Sequence, residues 1–71
     1  MSGVIFTFHA ELRIRKRNLS KEEVLEAIKF PDEIIKKQGK YYYQKRLNRG
    51  IIEVVVERTE KNINIITIYW L

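Results

Sequence analysis

The sequence predicts an α+β domain, a helical hairpin packed on a curled antiparallel sheet in the order β-α-α-β-β-β-β. Three observations lead there. Apolar residues recur with a helical period before Pro31 and with a strand period after Glu33. Turn-forming clusters at Gln38-Gly39-Lys40, Asn48-Arg49-Gly50 and Glu60-Lys61-Asn62 cut the second half into strands so closely spaced that neighbours must run antiparallel. A chain of 71 residues with little Gly or Pro, no repeat and no low-complexity segment has room for a single core, so residues 1–71 form one domain.

Val4 to Phe8 reads as a short extended entry rich in strand formers. From about Phe8 to Arg17 there is no Gly or Pro and only Ile14 is β-branched, which predicts a first helix with Thr7 as its N-cap. Ser20 and Glu23 have the spacing of a capping box, and Leu19 and Val24 that of a hydrophobic staple, so a second helix begins at Lys21. Pro31 disfavours helical geometry at Phe30 and ends it. Only Asn18 and Leu19 separate the two helices, and Asn18 suits a left-handed C-cap.

Strands follow at Ile34 to Lys37, Tyr41 to Leu47, Ile51 to Arg58 and Ile63 to Trp70. Ile52, Val54 and Val56 alternate with Glu53 and Glu57, with Val55 as the exception, and mark one buried face. Ile63 to Trp70 is apolar on both faces, which makes it the expected central strand.

Composition excludes several kinds of chemistry. Zero Cys rules out disulfides, thiolate zinc sites, iron–sulfur clusters and cysteine nucleophiles. A single His leaves no multi-imidazole centre, so neither metal nor cofactor is expected. No apolar run approaches the roughly 18 residues of a membrane span. Met1 to Phe8 lacks a basic leader region, a long apolar stretch and a cleavage site, so a cytoplasmic location is expected and a membrane partner is not.

The net charge is +5, from 14 Lys plus Arg against 9 Asp plus Glu. Its distribution is uneven. Residues 36–50 hold Lys36, Lys37, Lys40, Lys45, Arg46 and Arg49 with no acid, and interleave them with Tyr41, Tyr42 and Tyr43. Cations for phosphate and rings for bases are the composition that single-stranded nucleic acid binding requires. Lys near sheet edges also protects against aggregation, which is the plainer reading of the same block.

A second basic cluster lies on the first helix. His9, Arg13 and Arg17 recur every four residues along one stripe with Lys16 beside it, flanked by Phe8 and Leu12 on one side and Ala10 and Ile14 on the other. A plainly solvated face would lie opposite one contiguous apolar arc, so this stripe is expected at the rim of a groove. Glu11 and Arg15 have the spacing of a surface ion pair. As scaffold, His9 would instead bond to backbone or to Thr67, and the arginines to sheet carbonyls or to acids of the second helix.

His9-Ala10-Glu11-Leu12-Arg13, Arg17, Leu19-Ser20-Lys21-Glu22-Glu23-Val24, Phe30-Pro31-Asp32-Glu33, Val54-Val55-Val56 and Ile66-Thr67-Ile68-Tyr69 resemble the domain-of-unknown-function family 4258 over nearly the whole chain. That family in turn resembles the BrnT and RelE/ParE-like toxins. The resemblance implies a RelE-like fold and a role as the ribonuclease of a toxin–antitoxin pair, with an antitoxin protein as partner.

Metal-independent cleavage of RNA needs a base for the 2′-hydroxyl, cations for the developing phosphorane charge and a proton donor for the leaving oxygen. His is the one side chain here whose ordinary titration range suits that work. His9, Arg13 and Arg17 are therefore the candidate catalytic residues, and Lys16, Tyr43, Lys45, Arg46 and Tyr69 the candidate nucleic-acid contacts. A non-catalytic nucleic-acid-binding module and a module for an acidic protein partner are the alternatives. The sequence does not fix the oligomeric state.

Overall fold

The computed structural model describes residues 3–71; the first two residues of the N-terminal stretch lie outside it. Its elements are β1 (Gly3–Phe6), α1 (Phe8–Lys16), α2 (Lys21–Lys29), β2 (Glu33–Lys37), β3 (Lys40–Leu47), β4 (Gly50–Arg58) and β5 (Asn62–Trp70). The fold is α+β in the expected element order.

Both helix starts follow from their caps. The Thr7 hydroxyl accepts from the Ala10 N–H at 3.1 Å and donates to the Ile65 carbonyl at 2.7 Å, which fastens the start of α1 to β5. Ser20 and Glu23 form the reciprocal capping box, with bonds of 3.1 and 3.0 Å. Asn18 takes φ 58°, and the Leu19 N–H reaches the Ile14 carbonyl at 2.9 Å, so the linker turns at the left-handed residue the sequence supplies. Phe30, before Pro31, closes α2. The two helices lie on different strands, α1 over β5 and α2 over β3 and β4.

The sheet has the order β1-β5-β4-β3-β2. β2 to β5 pair antiparallel, whereas β1 joins β5 in parallel, so the sheet is mixed rather than wholly antiparallel. No tight turn dictates the direction of β1. Its register, Val4 opposite Ile63 and Phe6 opposite Ile65, places Val4 and Phe6 on the core face, leaves Ile5 exposed and delivers the chain to α1.

The central strand is β4, not β5. Ile52, Val54 and Val56 are fully buried under the helices with Ala10, Ile14, Val24, Ala27, Tyr43, Ile65 and Ile68. Val55 and Glu53, on the other face of β4, are also buried, at 5% and 8% exposure. A strand with cover on both sides belongs at the middle, although its charged residue gave it the pattern of a half-exposed one.

Candidate nucleic-acid interface

Neither helix contributes its buried residues to the face of the sheet that carries Glu53, so cross-strand neighbours build that face. Register places Gln44 and Tyr69 on either side of Glu53. The Tyr69 hydroxyl donates to Glu53 Oε1 at 2.5 Å and the Gln44 amide donates to Oε2 at 2.9 Å. Glu53 has no cation paired with it among the described residues. Two hydrogen bonds thus hold the carboxylate where water is largely excluded. Burial and then the bond to Glu53 push the Tyr69 hydroxyl up from 10.0 to about 12, so it remains a proton donor at neutral pH.

Tyr69 reaches Glu53 because β5 carries an irregularity. Opposite residue numbers sum to 122 from Ile52–Trp70 to Val55–Thr67 and to 121 from Val56–Ile65 to Arg58–Ile63, leaving Ile66 as the extra residue. With the outer register continued, Glu53 would face Ile68, and Tyr69 would point to the opposite face.

Above Glu53 lies a cavity of about 250 Å³ lined by Ile35, Lys37, Tyr42, Glu53 and Tyr69. The lining comes from four consecutive strands, β2 to β5. Lys37, exposed on β2, and Arg46, exposed towards the end of β3, have side chains with no hydrogen bond or ion pair among the described residues. A carboxylate floor, an aromatic wall and a cation at the rim thus meet in one hollow.

The stripe on α1 is arranged differently. Arg13 Nε donates to His9 Nε2 at 3.2 Å, an exposed contact that joins those two heads. Arg17 is not joined to them by its side chain; its carbonyl accepts from Trp70 Nε1 at 3.1 Å. Lys16 is exposed. Among the described residues neither the backbone nor Thr67 holds the His9 ring. A cavity beside α1 is lined by Glu11, Ile14, Arg15, Leu19 and Lys21, none of them a stripe residue. Of the two apolar flanks, Ala10 and Ile14 enter the core, while Phe8 at 76% and Leu12 at 41% stay exposed. Glu11 pairs with Lys21 at 3.0 Å rather than with Arg15.

Several candidate contacts have other duties. Tyr43 is 4% exposed and packs in the core beneath the helices, so its ring is not presented for stacking; Tyr42, one residue earlier, faces the hollow instead. Lys45 Nζ donates to the Phe30 carbonyl at 2.9 Å and lies 4.0 Å from Asp32, closing the end of α2. Arg49 clamps both oxygens of Glu23 at 2.9 and 2.7 Å, donates to the Asn18 carbonyl at 2.8 Å and covers the Trp70 ring at 5.4 Å. That clamp, offset in part by burial, holds the Glu23 carboxyl below its ordinary value of 4.5. Lys36 and Arg58 lie over Tyr41 at 5.5 and 4.7 Å.

Glu53 and Gln44 were not among the residues expected at the site. The two-residue turn at Asn48-Arg49 fixes Leu47 opposite Gly50, and counting back from it sets Gln44 opposite Glu53. That signal was present in the sequence. The bulge that brings Tyr69 over had none.

Among the described residues no group of three or more His, Cys, Asp or Glu side chains could hold a metal ion, and no helix is long and apolar enough to cross a membrane. None of the curated proteins or solved structures compared with the chain matches it. Residues 6–70 match the family described as Domain of unknown function (DUF4258), which covers both helices, the Glu53 hollow and the α1 stripe; the chain belongs to that family.

Proposed function

We propose that this chain acts on RNA and takes a single strand across the open face of its sheet. The observation that supports this reading is the hollow over Glu53, which an aromatic wall, hydrogen-bonding groups and Lys37 line together. Arg46 extends the cationic margin on β3, and Tyr69 contributes its ring and its hydroxyl. The test is fluorescence anisotropy of a labelled single-stranded RNA titrated with the full chain at rising salt. Binding should weaken steeply with salt, and replacing Lys37 and Arg46 by Ala should flatten the slope by about 0.7 for each phosphate no longer neutralised. Affinity unchanged between low and high salt rules this reading out.

The pairing of His9 with Arg13 favours a second, more specific reading, a metal-independent ribonuclease of the toxin–antitoxin type. His9 would take the proton of the 2′-hydroxyl after exchanging its bond to Arg13, Arg13 and Arg17 would hold phosphate charge, and Lys16 would steer the strand. An antitoxin would then shield the exposed Phe8 and Leu12 flank. RNA incubated with the chain in excess chelator should be cut, and His9→Ala should abolish the cut while preserving binding. Intact RNA with both proteins, on ribosomes and off them, leaves binding alone. Retention of an acidic protein in place of RNA would favour the protein-partner alternative.

A further inference from the structure

We propose that the hollow over Glu53 is a guanine site, reading the N1–H and the 2-amino group of one unpaired base; the inference rests on the RNA reading above. An ionised carboxyl group has about four lone-pair positions. Tyr69 takes one on Oε1 and the Gln44 amide takes one on Oε2, so each oxygen keeps one free. Two acceptors side by side fit two adjacent donors in a plane.

Guanine alone among the four RNA bases presents such an edge. Adenine and cytosine set an amino group beside a ring nitrogen whose lone pair would face the carboxylate. Uracil offers one N–H between two carbonyls. For those three bases, seating the ring leaves a buried acceptor against an acceptor, and an unmatched buried polar group is what a site rejects most strongly.

The remaining walls suit the rest of a guanylate. Tyr42 supplies a flat face for stacking, Ile35 an apolar margin, and Lys37 a cation at the mouth for phosphate. A volume of about 250 Å³ falls below the range of pockets for larger ligands, from roughly 300 Å³ upward, and admits one base rather than a pair. Glu53, at 8% exposure, is sufficiently desolvated for its acceptors to discriminate.

The experiment is a titration of the full chain with the 5′-monophosphates of guanosine, inosine, adenosine, cytidine and uridine, read by the ring resonances of Tyr42 and Tyr69. Guanosine monophosphate should bind at least about tenfold more tightly than the adenosine, cytidine and uridine compounds. Inosine, which lacks only the 2-amino group, should lose roughly tenfold against guanosine. Glu53→Gln should remove the guanine preference. If that variant does not fold, the inosine comparison on the unaltered chain decides. Equal affinities, or a preference that survives Glu53→Gln, overturn the inference. RNA that binds with the expected salt dependence but with no preference for guanine sinks the pocket and leaves the RNA reading standing. Guanosine monophosphate binding without any oligonucleotide binding keeps the pocket and removes the RNA reading.

Discussion

Tyr69→Phe isolates the bond on which the open face depends, because it deletes one oxygen and keeps the ring. What it removes is a 2.5 Å hydrogen bond to a carboxylate that is 8% exposed. Hydrogen bonds to charged groups contribute about 1.5–3 kcal/mol, and the half-buried position of Tyr69 places this one near the lower end, at about 1.5 kcal/mol. With a urea slope of ~1 kcal/mol/M for a chain this small, the midpoint should fall by about 1.5 M. The pH dependence supplies an independent check. The Tyr69 hydroxyl is raised from 10.0 to about 12 in the folded chain, so its contribution is fully present below pH 10 and is lost as pH rises through 12. Full linkage would give ~2.7 kcal/mol, an upper bound because solvent reaches the hydroxyl from the hollow. Urea unfolding followed by circular dichroism should therefore show a constant gap between the two proteins from pH 6 to 9 that closes toward pH 12. A gap below about 0.5 kcal/mol at neutral pH, or one that persists undiminished above pH 12, would refute the assignment of Tyr69 as donor to Glu53.

Three further outcomes follow from the same structure. Ser20→Ala opens the capping box and should lower unfolding stability by about 1 kcal/mol, measured by urea titration. Gly50 combines φ 143° with a Cβ position 3.3 Å from the Trp70 ring, so Gly50→Ala should destabilise by about 1–3 kcal/mol and alter Trp70 fluorescence. Because Arg49 holds the Glu23 carboxyl below 4.5, the stability that pair confers is present above that value and disappears as pH falls through the lower folded one. Arg49→Met should thus narrow the difference in stability between pH 6 and pH 3 by at most about 1 kcal/mol, since half-exposed ion pairs contribute little.

Local chemistry made the helices and turns legible. Thr7, Ser20 with Glu23, Asn18 and Pro31 each act within a few residues of themselves, and each acts as its type dictates. Gln38 and Gly39, both at positive φ, close the β2–β3 hairpin for the same reason. Contacts between distant residues were not legible. The six cations of residues 36–50 look equivalent in the sequence, yet Arg49 and Lys45 are bound to α2 and its ends while Lys37 and Arg46 remain free to meet a ligand. Tyr41, Tyr42 and Tyr43 look equivalent too, yet strand alternation buries Tyr43 and turns Tyr42 to the hollow. Net charge and aromatic content single out this stretch in the sequence without separating scaffold from surface.

The position of Glu53 gives the open face its chemistry. A carboxylate on the central strand of a small sheet costs stability unless its neighbours satisfy it, and here two neighbouring strands do so with neutral donors rather than a cation. A Lys or Arg in either place would neutralise the group and fill the hollow. Gln44 and Tyr69 instead leave a negative, partly satisfied acceptor beneath an opening bordered by Lys37. For stability alone an apolar residue at Glu53 would serve as well or better, since Val55 covers the same face on the same strand at 5% exposure. Glu53, set among the apolar residues of β4, and the bulge that brings Tyr69 to it therefore place in the hollow an acceptor that packing alone does not call for.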